Sequence, residues 1–329
     1  MISVRRVRYK TFSGPRIKGT DPYTIADPIN HWSRALWLTS RVESGGKFGA
    51  ITMYDGTACT AGLHQAIAVY PKELRHEDFS ARDDQGSLWR LLRMIAAVPD
   101  FPEMDALLGS FSYKNWYLSP SGALRYSSDA TVLIKGKDKR VKRGDKVYGF
   151  DIRQTFTPDE GSVPRSGPKW KESRRWALLF HAVFSNPKSY KAQTLYGQEH
   201  FHRYCKRKKL RVSGVVKTVG EWLYGGNSDD PSVSTEGLDL ALSTFWSHSV
   251  NAPAKAWSTL KRSLARHDIN SAPDAFAKDL LRRLGRSTYG RWNFSDRNGR
   301  WARTRLSAMR SGYWSADLFK PGGVMPRNL

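Results

Sequence analysis

The chain has 329 residues, which is enough to bury a large core and to form one elaborated domain or two. Lys and Arg number 54 against 30 Asp and Glu, so the net charge is +24, and we expect attraction to nucleic acid, an anionic membrane surface or an anionic cell-wall polymer. Two cysteines are too few for a disulfide framework, and the longest apolar run, residues 176–184, is too short to span a membrane. The first residues lack the apolar core of a signal peptide, so we expect synthesis in a cytoplasm without one.

The first strong helical pattern begins at Asp27 and Pro28, a capping side chain followed by proline, and ends at the paired glycines 45 and 46. Spacings of four, three and four residues place one set of side chains on a single helix face: Trp32, Leu36, Thr39 and Glu43. Glu43 therefore continues an apolar face at the carboxyl end of the predicted helix.

A small β element is predicted directly after this helix. Residues 48–54 (FGAITMY) have the pattern of a strand, and Asp55 with the following glycine has the pattern of a turn. Residues 59–67 (CTAGLHQAI) fit either a returning strand or a turn into a second helix. The sequence thus predicts a β-hairpin that carries Asp55 in its turn and Thr60 five residues later.

Helices dominate the rest of the chain. Capping residues and apolar periodicity predict helices over 87–98, 102–108, 169–184, 238–249, 276–284 and 298–310. Gly109 is expected to end the second of these helices. Residues 111–157 are instead basic and β-rich, as in KGKDKRVKRGDKVYGFDI.

This order of elements predicts an α+β protein that is mainly helical, with a small β-hairpin and a β-rich insertion. We expect residues 1–110 to form the N-terminal part of a core. Residues 111–168 would be the basic insertion, and residues 169–329 the C-terminal helical part of the core with an Arg-rich end.

The two carboxylates suit cleavage of a glycosidic bond. That reaction needs an acid to protonate the leaving oxygen and a second carboxylate that activates water or attacks the sugar. Partial desolvation on an apolar face should raise the pKa of Glu43 and help it stay protonated near neutral pH. Asp55 should stay ionised in its polar turn, and Thr60 would hold the attacking water. A surface acid at a helix end and an ordinary turn aspartate remain the alternative.

Residues 28–70 resemble the lysozyme superfamily, in particular the phage-type lysozymes, whose catalytic glutamate ends a helix and is followed by a hairpin with an aspartate and a threonine. The segment DGTACTAG (55–62) is also similar to the D-G-x-x-x-T-A-G segment of bacterial chitosanases in the same superfamily. The resemblance implies a lysozyme-like core in which Glu43 is the general acid, Asp55 the general base or electrostatic stabiliser, and Thr60 the water-positioning residue. It implies no metal and no organic cofactor, and it offers no counterpart for residues 111–235.

The function implied by this resemblance is that of a muramidase, which cleaves the β-1,4 bond between N-acetylmuramic acid and N-acetylglucosamine during bacterial lysis by a phage. Chitosan is a polycation that a +24 protein would repel, whereas peptidoglycan and its attached polymers are negative, so charge favours the cell wall. The expected partners are glycan strands, anionic cell-wall or outer-membrane polymers, and phage tail proteins. We expect the protein in the host cytoplasm before release to the cell wall and periplasm, or in the virion.

Three other functions stay open. A chitosanase-type glycosidase would use the same carboxylates, and a phage tail or baseplate component would keep the lysozyme-like core as a structural part. Basic tracts at 135–146 and 203–211, in a chain with twelve tryptophans, also fit a nucleic-acid-binding protein. We do not expect nucleic acid to be an obligatory partner, because several tryptophans lie in apolar helical patterns typical of a core.

Histidines offer little support for a metal site. Glu199, His200, His202 and Cys205 lie close in sequence, but their spacing does not match a closed metal site, and solvated histidines are the simpler expectation. His64 follows the DGTACTAG segment and is expected to be a hydrogen-bonded structural residue.

Overall fold

The computed structural model describes residues 4–8, 13–23, 31–54, 57–69, 86–134, 137–145, 156, 168–203, 207–224, 236–251, 253–269 and 271–285. Helices and small antiparallel sheets make up these residues, so the fold class is α+β, as predicted. The chain divides into two compact units, Met1–Asp21 with Glu43–Tyr196 and Pro22–Val42 with Gly197–Leu329. These units cut across the three segments expected from the sequence, whose assignment to a core and an insertion stays a prediction.

A five-stranded antiparallel sheet lies in the first unit. Neighbouring strands in this sheet are also neighbours along the chain: β1 (Val4–Arg8), β2 (Ser13–Ile17), β3 (Ile51–Tyr54), β4 (Ala58–Ala61) and β5 (Ala66–Ile67). The predicted hairpin is confirmed by β3 and β4, and the chain after it forms the short strand β5 rather than a helix. The N-terminal pair β1 and β2 extends the sheet through β3, which the sequence did not predict.

Two further hairpins follow in the first unit. The first pairs β6 (Trp116–Leu118) with β7 (Leu124–Tyr126), and the second pairs β8 (Ala130–Ile134) with β9 (Lys137–Val141). Both hairpins are antiparallel and separate from the five-stranded sheet. The predicted β-rich character of this basic region is confirmed where the structure describes it.

The helices of the first unit surround an aromatic core. They are α2 (Leu88–Ile95), α3 (Pro102–Tyr113), α4 (Pro168–Ser185) and the first part of α5 (Tyr190–Phe201). Helix α4 packs against α3 on one side and against strands β2 and β3 on another. Six aromatic side chains are buried together in this core: Trp89, Phe111, Trp116, Phe156, Trp176 and Phe180. The ring of Phe156 lies 4.9 Å from that of Trp176 and 5.6 Å from that of Phe180, in edge-to-face contacts that aromatic rings favour.

The prediction that Gly109 ends a helix is wrong, because α3 continues past it to Tyr113. Glycine inside a helix costs about 1 kcal/mol relative to alanine, which is not enough to end a helix that packs well. Buried residues on both sides of the glycine, Leu107 and Phe111, keep the helix face attached to the core. Packing therefore outweighs the local preference here.

The second unit is mainly helical. It contains α1 (His31–Glu43) up to Val42, the end of α5, the hairpin β10 (Lys209–Val212) and β11 (Val215–Thr218), and four more helices: α6 (Val219–Tyr224), α7 (Glu236–Asn251), α8 (Pro253–Leu264) and α9 (Pro273–Gly285). Helix α9 packs against α7 and α8, and the buried side chains include Leu242, Phe245, Trp246, Phe276 and Leu280.

The helices predicted over 238–249 and 276–284 are thus confirmed.

A buried hydrogen bond of 2.9 Å joins the hydroxyls of Thr39 on α1 and Ser243 on α7. Three predicted features lie outside the described residues: the start of the first helix at Asp27 and Pro28, the helix over 298–310, and the Arg-rich end.

Candidate functional site

Glu43 is the last residue of α1, as the sequence predicted, and its side chain is partly buried. The two glycines that follow, Gly45 and Gly46, have φ values of +71° and +72°. This left-handed conformation ends a helix and favours glycine, which has no Cβ to clash with the backbone. The pair therefore turns the chain immediately after Glu43, and the first strand of the hairpin begins at Ile51.

Thr60 lies on β4, which pairs with β3 on one side and with β5 on the other. It faces Thr52 on β3 and Ile67 on β5. Because side chains alternate along a strand, Thr60 and Thr52 share one face, while their neighbours Met53 and Cys59 point to the opposite face and join the apolar core. Thr60 is only 5% exposed, so its hydroxyl needs protein partners.

The main partner is Gln65, and the Thr52 carbonyl is a weaker second acceptor at 3.5 Å. The Thr60 hydroxyl donates to Gln65 Oε1 at 2.8 Å, and the Gln65 amide nitrogen donates to the carbonyls of Ala50 at 3.0 Å and Gly62 at 2.9 Å. Gln65 has a φ of +51°, a conformation that non-glycine residues rarely adopt, so these contacts hold a strained backbone in place. The result is a clamp that fixes both the orientation of Thr60 and the loop between β4 and β5.

The sequence did not predict the role of Gln65. Glutamine is common in loops, so the residue type alone does not mark this role. What marks it is the combination of a left-handed backbone with three side-chain hydrogen bonds, and both depend on the folded structure. Because the Thr60 hydroxyl uses its proton in the hydrogen bond to Gln65, only the lone pairs of its oxygen remain, and these accept hydrogen bonds.

The loop between β4 and β5 is also fixed from behind. Gly62 has a φ of +79°, and a Cβ at this position would lie 2.7 Å from both Gln193 Oε1 and a ring carbon of Phe184. Gln193 on α5 is 1% exposed, and its Oε1 accepts from the backbone of Leu63 at 2.9 Å. Its amide nitrogen donates to the Phe184 carbonyl and to Ser189 Oγ, both at 2.8 Å. Only glycine fits at position 62.

His64 lies in the same loop, and its ring packs edge-on against Tyr196 with the ring centroids 6.1 Å apart. Burial lowers the pKa of His64 to about 4, against a smaller opposing effect of a backbone hydrogen bond. The imidazole is therefore neutral near pH 7 and acts as a packing group there rather than as a charge.

Glu43 and Thr60 belong to the same unit. Glu43 is the last residue of α1, and Thr60 lies on β4, seventeen residues later. Asp55, the third residue predicted for this site, lies outside the described residues. The strand residues on either side of Asp55 are described: Tyr54, the last residue of β3, pairs with Ala58, the first residue of β4.

Metal-ligating side chains are not clustered in the part of the chain that the structure describes, where no three His, Cys, Asp or Glu residues come together. His200 Nδ1 instead accepts a hydrogen bond of 3.0 Å from the indole of Trp246, and Cys205 falls outside that part. No helix among the described segments is long and apolar enough to cross a membrane. Comparisons with protein-family models, with curated proteins and with solved structures find no significant match.

Proposed function

We propose that the protein is a peptidoglycan hydrolase of the muramidase type, in which Glu43 is the general acid, Asp55 the general base or electrostatic stabiliser, and Thr60 the residue that positions water. The observation that carries the proposal is a partly buried glutamate at the end of α1, followed in the same unit by strands β3, β4 and β5 of the antiparallel sheet, with Thr60 on β4 between the other two. This is the local arrangement that the resemblance to phage-type lysozymes implies.

Glu43 suits the acid role because its side chain is partly withdrawn from water at a helix terminus. A glycosidic oxygen needs a proton as it leaves, and general acid catalysis contributes roughly 10²–10⁴-fold to the rate.

The hydrogen bond to Gln65 supports the role proposed for Thr60. Since the hydroxyl proton is donated to Gln65 Oε1, the Thr60 oxygen can only accept from a water molecule. A water that donates one proton to Thr60 and the other to Asp55 keeps a lone pair directed toward the sugar. Gln65 is then the residue that orients the catalytic hydroxyl without touching the substrate.

Charge supports the cell wall as the substrate. With a net charge of +24, the protein is attracted to the negative polymers of bacterial envelopes, which raises its local concentration there. We therefore propose peptidoglycan rather than chitosan, and lysis of a bacterial host by a phage as the biological setting.

The test is mass spectrometry of purified peptidoglycan after digestion, with Glu43→Gln compared with the natural protein. Glutamine keeps the shape of glutamate and removes its proton, so we expect the release of reducing-end muropeptides to fall roughly 10²–10⁴-fold. The matched control is Glu103→Gln, which changes another partly buried helical glutamate of the same unit and should leave activity within about twofold.

Three results would contradict the proposal. Products with anhydro ends would indicate a lytic transglycosylase, and no products from the natural protein would indicate a structural or binding protein. Near-normal turnover by Glu43→Gln would remove Glu43 from the acid role.

A further inference from the structure

The hairpin formed by β10 and β11 in the second unit has an unusual surface. Its four-residue pairing runs from Lys209 opposite Thr218 to Val212 opposite Val215, and Ser213 and Gly214 connect the two strands. Ser213 and Gly214 have φ values of +47° and +86°, as expected for a tight two-residue turn between the strands of a hairpin. The hairpin therefore ends in a narrow, well-defined tip.

Positive charge is concentrated on this hairpin and just before it. Five exposed basic side chains belong to it: Arg207, Lys208, Lys209, Arg211 and Lys217. Glu221 is the only acidic residue between positions 203 and 224. It accepts hydrogen bonds from the backbone and hydroxyl of Thr218 at 2.6 and 2.7 Å, and these bonds hold the pKa of Glu221 below its usual range. Glu221 is thus bound within its own turn.

The hairpin formed by β8 and β9 is also basic, but a carboxylate outside its strands neutralises part of its charge. On β8 and β9, Arg140 forms an ion pair of 2.6 Å with Asp129, and the same carboxylate accepts from the backbone of Arg143 at 3.0 Å. No ion pair among the described residues involves the β10–β11 hairpin, and Glu221 attracts Lys209 and Lys217 only at longer range. Most of the positive charge of the hairpin is therefore available to an external anion.

Two apolar side chains lie exposed among these charges. Val215 is 48% exposed and Val216 is 47% exposed, and both belong to the strand that leaves the tip. The apolar side chains of the preceding strand behave differently, since Leu210 and Val212 are buried. Because side chains alternate along a strand, Val216 lies on the same face as Lys209 and Arg211. Val215 lies on the other face, which it shares with the buried pair, and it is exposed because it is the first residue after the turn.

The base of the hairpin is anchored. The indole of Trp222 on α6 donates to the Leu210 carbonyl at 3.0 Å, and the Lys217 ammonium lies 5.2 Å from the Trp222 ring. Helix α8 packs against β10. The exposed valines and cations therefore belong to an element that α6 and α8 hold in place.

We propose that the β10–β11 hairpin binds the surface of an anionic phospholipid bilayer. The exposed cations would contact lipid phosphates, and the tip of the hairpin would enter the boundary between headgroups and acyl chains with Val215 and Val216, one on each of its two faces. This interaction is independent of the proposed hydrolase site, because all of its residues lie in the second unit.

The exposed valines distinguish this partner from a nucleic acid. Phosphate contacts alone would use the cations and leave the two valines in water, whereas single-stranded nucleic acid is held by exposed aromatic rings on which bases stack. The strands and turn of this hairpin contain no aromatic residue, and the ring that packs beside them, Trp222 of α6, is only partly exposed and is already in contact with Lys217. A bilayer surface uses both features at once.

The test is co-sedimentation of the full chain with vesicles of equal phosphatidylglycerol and phosphatidylcholine, with pure phosphatidylcholine vesicles for comparison. We expect binding to the anionic vesicles only. Replacing Lys209→Gln and Arg211→Gln should weaken binding by roughly tenfold or more, since each basic residue near an anionic surface contributes roughly fivefold. Replacing Val215→Thr and Val216→Thr, which keeps shape and β-branching, should weaken it several-fold.

The matched control removes two charges elsewhere, with Lys171→Gln and Lys191→Gln on exposed positions of α4 and α5 in the first unit. Its effect should be smaller than that of the hairpin pair. The proposal is overturned if the natural chain ignores anionic vesicles or if the two charge pairs have equal effects. It is also overturned if the threonine pair binds normally, or if duplex DNA binds more tightly than the vesicles in the same buffer.

Discussion

Each unit of the molecule contains a buried or partly buried polar network, and the two networks differ in charge. In the first unit, the network around Gln65 consists of neutral groups: a hydroxyl, an amide and two backbone carbonyls. In the second unit, the network centres on the carboxylate of Asp279, which is 3% exposed. Its partners are Ser263 Oγ at 3.1 Å, Arg282 Nη2 at 3.2 Å, Arg283 Nε at 2.6 Å and His267 Nε2 at 3.8 Å.

The difference sets how each unit responds to pH. Burial of Asp279 opposes its ionisation, but hydrogen bonds from Arg283, Arg282 and Ser263 outweigh burial and hold the pKa of Asp279 below its usual range. In the first unit the neutral network does not titrate, and the nearby titrating group is His64, whose pKa burial lowers to about 4. The contributions of Asp279 and His64 to stability are therefore lost in different pH ranges.

The largest effect on stability is expected at Asp279. Replacement by alanine leaves two arginines without their carboxylate and should lower the free energy of unfolding by about 3 kcal/mol, the low end for a buried pair because Arg282 is largely exposed. Urea unfolding at pH 7 measures this loss. A loss below about 1 kcal/mol would show that solvent replaces the carboxylate easily.

Asp279→Asn serves as the control with unchanged volume. Because the folded-state pKa of Asp279 lies below the unfolded value, its contribution is fully present above the ordinary carboxyl pKa of about 4 and is lost as pH falls through the folded-state pKa. The stability difference between the natural chain and Asp279→Asn should be constant above pH 5 and shrink below about pH 4.

The next effect is the pH dependence caused by His64. The unfolded chain binds a proton below its usual histidine pKa of about 6.5, whereas the folded protein binds it only near pH 4, so the folded state loses stability as pH falls between these values. We expect this loss to be about 2 kcal/mol for a partly buried ring. In His64→Gln the slope of unfolding free energy between pH 6.5 and 4 should flatten, and an unchanged slope would assign the titration to another group.

A smaller effect is expected when the neutral network is broken. Gln65→Leu removes three hydrogen bonds from Thr60, Ala50 and Gly62 and should cost about 1.5 kcal/mol, independent of pH. Gln198→Leu, at another partly buried glutamine, is the matched control and should cost less. If the proposed function holds, Gln65→Leu should also lower turnover, because Thr60 loses its orienting partner. Equal stability losses in the two variants would show that Gln65 is not a clamp.

Local signals in the sequence were enough to predict the helix that ends at Glu43 and the hairpin that follows. Gly45 and Gly46 adopt the positive φ values that glycine favours, and that preference depends on the residue alone. Helices α4, α7 and α9 were also predicted, because each has a regular apolar face that the core buries.

Long-range partners explain what the sequence did not reveal. Gln193 contacts Leu63, which lies 130 positions away, and no local pattern marks such a pair. The addition of β1 and β2 to the sheet, and the division of the chain into two discontinuous units, depend on similar distant contacts. Helix α3 passes Gly109 for the same reason, since packing on the core rather than the residue itself decides where that helix ends.

The bond between Leu63 and Gln193 also bears on the order of events during synthesis. A ribosome adds about 5–20 residues per second, so the loop after β4 emerges roughly ten seconds before the glutamine that locks it. Until α5 emerges, that loop lacks the partner that fills the space beside Gly62. The region that carries Thr60 thus matures only after a further 130 residues have been translated.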